Sequence, residues 1–357
     1  MASSPIPSVS ATARSTIVSD NCRKYASVGS SPRISVYHHP GWRDAFGVYR
    51  LACHWLVAEE HGQVVGQLPL VQQASPLFGR RLISLPWVDE AGPLGSPRAV
   101  AMLIDQAADL ARRARCKLVL KLPIATGAVT IAGAWEPLSN DKVLLRRRLG
   151  ATADALWTEL SPKVRNQVRK GEKSGLVTTR GGAELIGDFY EVYSRNMRDL
   201  GSPPHSQRFF QTLIEALGDR AAVYCTRCDG QTVGAGIVLD NRPSLDIPWA
   251  SSRRDFNRLC VNHAMYWRIL ADACEAGYEW FHFGRSSLGS GQYNFKMQWG
   301  AEEIPLVWLQ SSHEPLRCSE ATQTSDKEKF ALAQKIWTQL PLWASRRLGP
   351  RIIRNVP

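Results

Sequence analysis

A faint internal duplication limits the fold of this chain more than any other feature of its sequence. The segment HGQVVG at residues 61–66 is echoed by DGQTVG at residues 229–234, and each lies between two strand-like runs that predict a hairpin. Farther along, ISLPW at residues 83–87 is echoed by LDIPW at residues 245–249, and each is followed by a predicted loop, helix and strand. Two echoes in the same order, followed by the same elements, predict a repeated structural unit.

Each repeated unit is predicted to be a mixed, mostly antiparallel sheet flanked by helices, so the expected fold class is α/β (mixed α+β). Strands that pair in a hairpin and then continue through a helix to another strand give this arrangement. The helices predicted at residues 98–115 and 262–276 carry apolar stripes that would pack on the sheet. Such a layout leaves a cleft where neighbouring strands separate at the end of the sheet, and an extended donor substrate would fit there.

The length and composition of the chain agree with two globular units. It has 357 residues, of which 44% are hydrophobic and 21% are charged, a balance typical of globular proteins with more than one core. No apolar run approaches the roughly 18 residues needed to cross a bilayer. The start of the chain is rich in Ser, Ala and Thr and lacks the apolar segment of a secretory signal, so we expect a cytoplasmic protein.

These observations divide the chain into four predicted parts. They are a disordered N-terminal tail (1–32), a first unit (33–155), a second unit (156–312) and a basic amphipathic C-terminal tail (313–357). In the last part, the spacing of apolar residues from 327 to 348 predicts a helix that is broken by Pro341. This basic helix could lie on the anionic inner-membrane surface, or it could dock on the body of the protein.

Charge and cysteine content narrow the range of partners without choosing one. The formal net charge of +12 and the pI of about 9.5 favour nucleic acid, a phosphorylated substrate or an acidic membrane, although surface charge also serves solubility. Of the eight cysteines, only Cys225 and Cys228 have C-x-x-C spacing, and no second pair completes a tetrahedral site. We therefore predict no metal site.

The segment from residue 281 to residue 306, FHFGRSSLGSGQYNFKMQWGAEEIPL, combines a strand, a polar loop and a helix. The loop spans residues 284–291, and the helix after it holds Tyr293, Phe295 and Lys296. A strand, a flexible loop and a helix start can place backbone N–H groups and a cation beside a reacting carbonyl or phosphate. A run rich in glycine and serine could equally be a plain turn, so this segment gains meaning only with the rest of the chain.

A basic block, LSPKVRNQVRK at residues 160–170, predicts the start of another helix. Ser161 would cap this helix and Pro162 would occupy its first turn. Val164 and Val168 lie four residues apart and should face the core, while the basic side chains point outward. A charged ridge of this kind is usually a solvated face.

With these blocks the chain resembles the FemAB-like acyltransferases, which are built from two tandem GNAT units. The matching parts are the 160–170 block, NMRDLGSP at residues 196–203, and the 281–306 segment together with WASS at residues 249–252. The resemblance covers most of residues 155–310, is weaker over the first half, and is greatest to the branch associated with exosortase/PEP-CTERM exopolysaccharide systems.

The resemblance implies an enzyme that transfers an acyl or aminoacyl group to an amine on a cell-envelope polysaccharide or peptidoglycan precursor. The acyl donor would be a co-substrate, either acyl-CoA or aminoacyl-tRNA, and no cofactor would be tightly bound. Lys296 stands where the family has the lysine of its F-K-x-x-aromatic-Gly helix, and with Tyr293 it is the catalytic candidate. The resemblance thus implies that the second unit (156–312) is the catalytic one. A cation beside the cleft would stabilise the oxyanion that forms when an amine attacks the carbonyl, whereas a solvated helix lysine is the alternative.

The loop that would hold the donor departs from the usual GNAT pattern. Enzymes that bind acetyl-CoA carry a glycine-containing loop whose amides grip the pyrophosphate, but the matching segment here, SSRRDFNRL at residues 251–259, contains no glycine. Its arginines would have to hold a phosphate instead. The loop at residues 88–97 is acidic and neutral, which suits a first unit that is structural or binds the acceptor. The residues predicted to contact donor or acceptor are Ser251, Ser252, Arg253, Arg258, Gly284, Arg285, Ser286, Gly289, Gly291, Phe295, Arg165, Asn166 and Arg198.

The general base and the role of the second family block stay open at this point. His282 replaces the aspartate that the family carries between two phenylalanines, and strand alternation places its side chain opposite Phe281 and Phe283. It could take the proton of the attacking amine or be a packed histidine, so no base is assigned. Arg198 and Asp199 could simply pair with each other. The alternative function for the whole chain is a non-catalytic basic module that binds a glycan or RNA in the same cleft.

Overall fold

The computed structural model describes residues 14–18, 35–61, 63–75, 79–122, 135–138, 141–311 and 332–356. These residues form two sheets, each flanked by helices, which confirms the predicted mixed α/β fold class. No helix within the described ranges has the length and apolar character needed to span a membrane.

The strands follow one another along the chain with both short and long connections. In chain order they are β1 (Arg14–Val18), β2 (Ala52–Glu60), β3 (Gln63–Ser75), β4 (Gly79–Ile83), β5 (Leu94–Gly95), β6 (Lys117–Lys121), β7 (Trp135–Pro137), β8 (Lys142–Arg148), β9 (Val177–Gly181), β10 (Ala221–Cys228), β11 (Gln231–Asn241), β12 (Ser244–Ser252), β13 (Trp280–Ser287), β14 (Glu302–Pro305) and β15 (Trp308–Ser311).

The helices cover both sheets and the C-terminal part of the chain. In chain order they are α1 (Gly41–Gly47), α2 (Pro97–Arg113), α3 (Ala153–Glu159), α4 (Pro162–Lys173), α5 (Ile186–Asp199), α6 (Gln207–Leu217), α7 (Val261–Glu275), α8 (Gly291–Met297), α9 (332–338) and α10 (Leu342–Ile353). Short 3₁₀ turns lie at Val36–His38, Ala183–Leu185, Gly218–Arg220 and Arg254–Leu259.

The two sheets repeat one arrangement, as the echoed segments predict. The first has the order β1-β2-β3-β4-β6-β15-β7 with β5 beside β3, and the second has the order β14-β8-β13-β12-β11-β10-β9. The series β2, β3, β4, α2, β6 in the first unit corresponds to β10, β11, β12, α7, β13 in the second. Among the described strands, only the pairs β4–β6 and β12–β13 are parallel. In each of these two pairs the strands are joined through a helix, as a parallel connection usually requires.

Both echoed segments form hairpins, which confirms that prediction. The turn residues His61 and Asp229 adopt left-handed backbone conformations, with φ of 51° and 49°. Beside each turn the strand register shifts, between Ala58 and Glu59 in the first hairpin and within β10 in the second. A left-handed turn residue followed by a bulge is a common way to close a hairpin on twisted strands.

The two sheets exchange strands. β8 lies in the second sheet between β13 and β14, although the predicted boundary at residues 155/156 places it with the first unit. In return, β15 follows the second sheet in the chain but pairs with β6 and β7 of the first. β1 pairs with β2, so these five residues differ from the disordered tail expected there, and the rest of that predicted tail lies outside the described residues.

A hydrophobic core joins the two units. Trp42 and Phe46 on α1 of the first unit pack in one cluster with Phe209 on α6 and Trp249 on β12 of the second. A second cluster surrounds α7 and β13, and a third lies beneath α2. The largest cluster therefore contains residues of both units.

The predicted start of α4 is confirmed. The Ser161 side chain accepts a hydrogen bond from the Val164 backbone N–H at 3.3 Å, and Pro162 is the first helical residue. Val164 and Val168 are fully buried, as their spacing predicts. Helix α8 starts in the same way, because the Ser290 side chain accepts from the Tyr293 backbone N–H at 3.2 Å.

The C-terminal helix α10 docks on the body of the protein, which was one of the two alternatives for this tail. It begins directly after Pro341, and its Arg346 donates hydrogen bonds to the side chains of Ser194 and Glu191 on α5. Beyond the helix, the carbonyl of Val356 accepts a hydrogen bond of 2.9 Å from Trp87 Nε1. Of the predicted tail, residues 313–331 and 357 lie outside the described ranges.

Candidate active site

The cleft opens where β12 and β13 separate. The two strands are paired over three residues only, from Ser244–Trp280 to Asp246–His282, although each strand continues well beyond this point. A cavity of about 900 Å³ fills the space between their diverging ends. The second sheet and its helices supply most of its wall. Tyr37, Trp87, Val88, Asp89 and Glu90 of the first unit, with Ile353 and Val356 of the C-terminal segment, also line it.

Lys296 projects from α8 into this cleft and is only 8% exposed. Its Nζ donates hydrogen bonds of 3.0 Å to the backbone carbonyls of Gly284 and Arg285. These carbonyls are accessible because β13 has a register shift between His282 and Gly284, where Gly284 adopts a φ of 75°. Burial lowers the pKa of Lys296 to about 8, with Asp89 opposing that shift and Arg285 adding to it. The lysine is therefore a fixed cation at neutral pH rather than a solvated one.

Asp89 of the first unit fixes the conformation of Arg285. Its carboxylate accepts hydrogen bonds from the Arg285 backbone N–H at 3.1 Å and from Arg285 Nη1 at 3.0 Å. The Arg285 guanidinium also lies 5.3 Å from the ring centre of Trp308, which belongs to the exchanged strand β15. The acidic loop of the first unit thus forms part of the site wall. Arg285, which was predicted to bind the donor, already has an anionic partner in Asp89.

A buried polar network lies at the point where β12 and β13 separate. His282 Nδ1 is 3.1 Å from Asp246 Oδ1, which also accepts a hydrogen bond of 2.7 Å from Ser244. Asp246 Oδ2 accepts from the Tyr37 hydroxyl at 2.8 Å and from Asn241 Nδ2 at 3.2 Å. The network joins both units, since Tyr37 belongs to the first.

The electrostatics of this network favour a charged pair. Burial lowers the pKa of His282, but the carboxylates of Asp246 and Glu90 outweigh that effect, so the pKa is raised overall. Burial raises the pKa of Asp246, but His282 and the hydrogen bonds from Ser244 and Tyr37 outweigh it, so that pKa is lowered overall. The partners favour each other's ionised form.

Among the described residues, one group of side chains has the arrangement of a metal site. Ligand atoms of Glu90, Asp246 and His282 lie within 4.8 Å of one another. Both oxygens of Asp246 already have two polar partners each, so a metal ion would have to displace hydrogen bonds from a saturated carboxylate. The chemistry of the donor set therefore favours a hydrogen-bonded network, and we assign no metal to it.

The structure brings about half of the predicted site residues together. Those that line the cavity are Ser251, Ser252, Gly284, Arg285, Ser286, Gly291, Phe295 and Lys296. Ser286 Oγ is buried and has no hydrogen-bond partner among the described residues, so it is available to a ligand. The predicted site residues that do not line the cavity are Tyr293, Arg253, Arg258, Gly289, Arg165, Asn166 and Arg198.

Local partners explain why several predicted residues lie away from the cavity. The Tyr293 hydroxyl donates to Glu303 on β14, which holds that side chain outside the cleft. Arg253 forms an ion pair with Asp255 at 2.5 Å, and its guanidinium lies over Phe256. Arg198 pairs with its neighbour Asp199 at 2.6 Å, which was the alternative stated for it.

Gly289, Arg258, Arg165 and Asn166 have simpler explanations. Gly289 is an exposed turn residue with a φ of 71°, so it shapes the loop before α8 rather than the cleft. Arg258 is exposed in the 3₁₀ turn that precedes α7. Arg165 and Asn166 lie on α4 outside its buried face, which is formed by Val164, Val168 and Gly171.

Several cavity residues were not predicted from the sequence. Asn196 donates a hydrogen bond of 3.1 Å from Nδ2 to Ser251 Oγ, and it opens the 196–203 block that was quoted for the resemblance. Trp87 and Trp249 end the two echoed Pro-Trp segments, and both line the cavity. A signal for these three residues was therefore present in the sequence. Asp246 lies in the second echoed segment and Glu90 in the acidic loop at residues 88–97, but neither was marked as a site residue, and Tyr37 gave no signal.

Comparison with known proteins identifies the second unit. Residues 161–297 match the sequence model of a family described as acetyltransferase (GNAT) domain. FemX has a similar structure, at 14% identity, with 77% of this chain and 93% of that chain covered and a TM-score of 0.61. The C-terminal domain of a putative lysylphosphatidylglycerol synthetase from Agrobacterium fabrum is also similar, at 14% identity, with 84% and 91% covered and a TM-score of 0.53.

A third similar structure is a conserved protein of unknown function from Bacteroides thetaiotaomicron. It is 11% identical, with 77% of this chain and 89% of that chain covered and a TM-score of 0.53. No curated protein sequence matches the chain. Residues 161–297 therefore form a GNAT acyltransferase domain, which confirms the predicted enzyme class, and the part of the chain that the FemX structure covers has a similar fold.

Proposed function

We propose that this protein transfers an acyl or aminoacyl group to an amine on a cell-envelope precursor, either a polysaccharide or a peptidoglycan intermediate. The observation that carries the proposal is the position of Lys296, a buried cation held at the opening of the cleft in a GNAT acyltransferase domain. The basic character of the chain suits a donor or acceptor that carries phosphate.

The reaction follows from the geometry around Lys296. The amine nitrogen of the acceptor attacks the carbonyl carbon of the donor, a new C–N bond forms, and the C–O bond of an ester or the C–S bond of a thioester breaks. Nζ of a charged lysine carries three N–H bonds, and two of them go to the carbonyls of Gly284 and Arg285. The third is left for the oxyanion of the tetrahedral intermediate, and a pre-oriented donor of this kind is worth about 10²–10³ in rate.

The acyl donor is a co-substrate, acyl-CoA or aminoacyl-tRNA. The segment at residues 251–259 lacks the glycines of the usual pyrophosphate loop, and its Arg253 already pairs with Asp255. This loop therefore suits a donor whose phosphate is held elsewhere, which favours aminoacyl-tRNA. The three matching sequence blocks support the finer assignment to exopolysaccharide assembly in an exosortase/PEP-CTERM system.

Radiolabelled transfer assays test the proposal. Acetyl-CoA and alanyl-tRNA would be supplied as donors, and a UDP-linked muramoyl pentapeptide and a glucosamine oligosaccharide as acceptors. We expect transfer with at least one pair, and we expect Lys296→Met to lower kcat by about 10²–10³. Lys173→Met, at an exposed lysine on α4, is the matched control and should keep full activity. Full activity in Lys296→Met, or no transfer with any pair, would contradict the proposal.

We also propose that the outer face of α10 contacts an anionic membrane surface, where a lipid-linked precursor would be assembled. Trp343 is 70% exposed, and the exposed Arg347 and Arg351 follow it four and eight positions later, on the same face of the helix. An interfacial tryptophan beside arginines suits anionic lipid headgroups.

Vesicle flotation tests the membrane contact. We expect the protein to float with vesicles of phosphatidylcholine and phosphatidylglycerol and not with phosphatidylcholine alone. The variant Trp343→Ser should lose this binding, whereas Val177→Ser, at an exposed valine on β9, should keep it. Equal flotation of both variants would contradict the proposed contact.

A further inference from the structure

We propose that His282 is the proton acceptor of the transfer reaction and that Asp246 is its positioning residue. This inference rests on the proposed acyl transfer and adds the group that removes the proton from the attacking amine. It is carried by where the two side chains lie in the sheet and by the contacts that hold them.

The position of Asp246 and His282 in the cleft is set by the pairing of β12 with β13. Asp246 and His282 are the last residues at which β12 and β13 are paired, so they lie where the strands begin to separate. Both line the same cavity as Lys296. Gly284, whose carbonyl binds Lys296 Nζ, is two residues farther along β13, a separation of roughly 7 Å along a strand. A substrate carbonyl near Lys296 would thus have its attacking amine within reach of His282.

The orientation of the His282 imidazole is set by its contact with Asp246. Nδ1 faces Asp246 Oδ1 at 3.1 Å, which leaves Nε2 as the nitrogen that can exchange a proton with a ligand in the cavity. Asp246 cannot easily move, because Ser244, Tyr37 and Asn241 all donate to its carboxylate. A carboxylate on one ring nitrogen fixes the tautomer and stabilises the imidazolium that forms when the other nitrogen takes a proton.

Two carboxylates and one guanidinium surround His282. Asp246 on β12 and Glu90 in the loop of the first unit face the ring with negative charge, and Arg146 on β8 faces it with positive charge. Burial lowers the pKa of His282, and the two carboxylates more than offset burial and Arg146, so the pKa is raised. The group therefore accepts a proton more readily than an ordinary histidine.

The reaction starts from the enzyme form in which the His282 imidazole is neutral, the form that the rising limb of the pH profile would report. The lone pair of the acceptor amine forms the C–N bond, and His282 Nε2 takes a proton from that nitrogen. The tetrahedral intermediate then collapses, the C–O or C–S bond breaks, and the imidazolium returns the proton to the departing oxygen or sulfur. The products are the amide and the free tRNA or thiol, with His282 neutral again.

Steady-state kinetics with the full-length protein test the inference. The donor–acceptor pairs are those of the transfer assay, with kcat and KM measured across the pH range for wild type, His282→Gln and Asp246→Asn. We expect His282→Gln to lower kcat by about 10²–10⁴, with KM for the donor little changed and the rising limb of the pH profile lost. Asp246→Asn should move that limb to lower pH, because it removes the charge that raises the basicity of His282.

His54→Gln is the matched control, since His54 is a half-buried histidine on β2 that does not line the cavity. It should keep both the rate and the pH profile. An unchanged profile in His282→Gln, with Lys296→Met inactive, would overturn the inference and leave the proposed function standing. Absence of transfer by the wild-type protein would overturn both the inference and the proposed function.

A measurement on the wild-type protein covers the case in which the variants do not fold. NMR titration of the assigned His282 imidazole should give a midpoint equal to that of the rising limb of the pH–rate profile. The limb should stay in place when two acceptors with amines of different pKa are compared. A mismatch between the two midpoints, or a limb that follows the acceptor, would overturn the inference.

Discussion

At the scale of single residues, the burial of Lys296 predicts a pH dependence of stability. Its pKa is lowered from 10.5 to about 8 in the folded protein. Between these values the unfolded chain binds the proton more strongly than the folded chain does, so the free energy of unfolding rises with pH. Because one pKa unit corresponds to about 1.4 kcal/mol, we expect wild type to gain about 2 kcal/mol over Lys296→Met between about pH 7.5 and about pH 10.

Urea denaturation of both proteins at the two pH values measures this difference. The comparison with a variant matters because other groups titrate over the same interval and cancel in the difference. Lys173→Met removes an exposed lysine, so its free energy of unfolding should run parallel to that of wild type. Parallel behaviour of Lys296→Met would show that the lysine is solvated in the folded state.

The sequence predicts Lys296 but not the residues that surround it. The lysine lies in a local motif, Phe-Lys-x-x-Trp-Gly, that can be recognised within six residues. The contact between Tyr37 and Asp246 spans 209 residues, and nothing in either neighbourhood indicates it. Strand alternation predicts that His282 faces away from Phe281 and Phe283, and both phenylalanines do pack against α7. Its partner follows only from the parallel pairing of β12 with β13.

At the scale of elements, the shifted register of β13 is what presents carbonyls to Lys296, and Gly284→Ala tests it. The added Cβ would meet only ordinary contacts, with Ile247 O at 3.5 Å and Asp89 Oδ2 at 3.7 Å. The φ of 75° is instead unfavourable for alanine, at a cost of about 1–2 kcal/mol. Relaxation of this backbone would move the carbonyls that hold Nζ, so we expect kcat to fall along with the melting temperature.

Gly277→Ala provides the control for backbone strain alone. Gly277 has a φ of 71° and no atom within 4 Å of an added Cβ, and it lies after α7, away from the cavity. It should lose a similar amount of stability, measured by thermal unfolding, and keep its kcat. If the two variants have equal kcat, the bulge does not position Lys296.

The repeated elements could be predicted from the sequence, whereas the strand exchange could not. A hairpin is a local structure, and its turn residues and alternating strands lie within about twenty residues of each other. The sequences of β8 and β15 do not indicate which sheet each strand joins, because the strands of either sheet offer the same backbone hydrogen bonds. The choice depends on which apolar faces are already covered, and that is decided by packing of the whole chain.

At the scale of the whole molecule, the shared core and exchanged strands predict that both units unfold together. Each sheet contains one strand from the sequence segment that forms the other unit: β8 lies in the second sheet and β15 in the first. In addition, α1 of the first unit packs against α6 of the second. The predicted boundary near residue 155 therefore separates two sheets in sequence but not two independent folding units. A fragment cut there would lose β8, the partner of both β13 and β14.

Phe46→Ala tests this cooperativity. Phe46 is fully buried, and its ring centre lies 5.4 Å from that of Trp87 and 6.4 Å from that of Phe209 in the other unit. We expect a loss of about 3–5 kcal/mol, the usual cost of emptying a phenylalanine site in a core. Because the core is shared, tryptophan fluorescence and far-UV circular dichroism should show one transition that moves as a whole in urea. Phe256→Ala, at a half-buried site on the second unit, should cost less. Two separated transitions, with only one shifted by Phe46→Ala, would mean that the units fold independently.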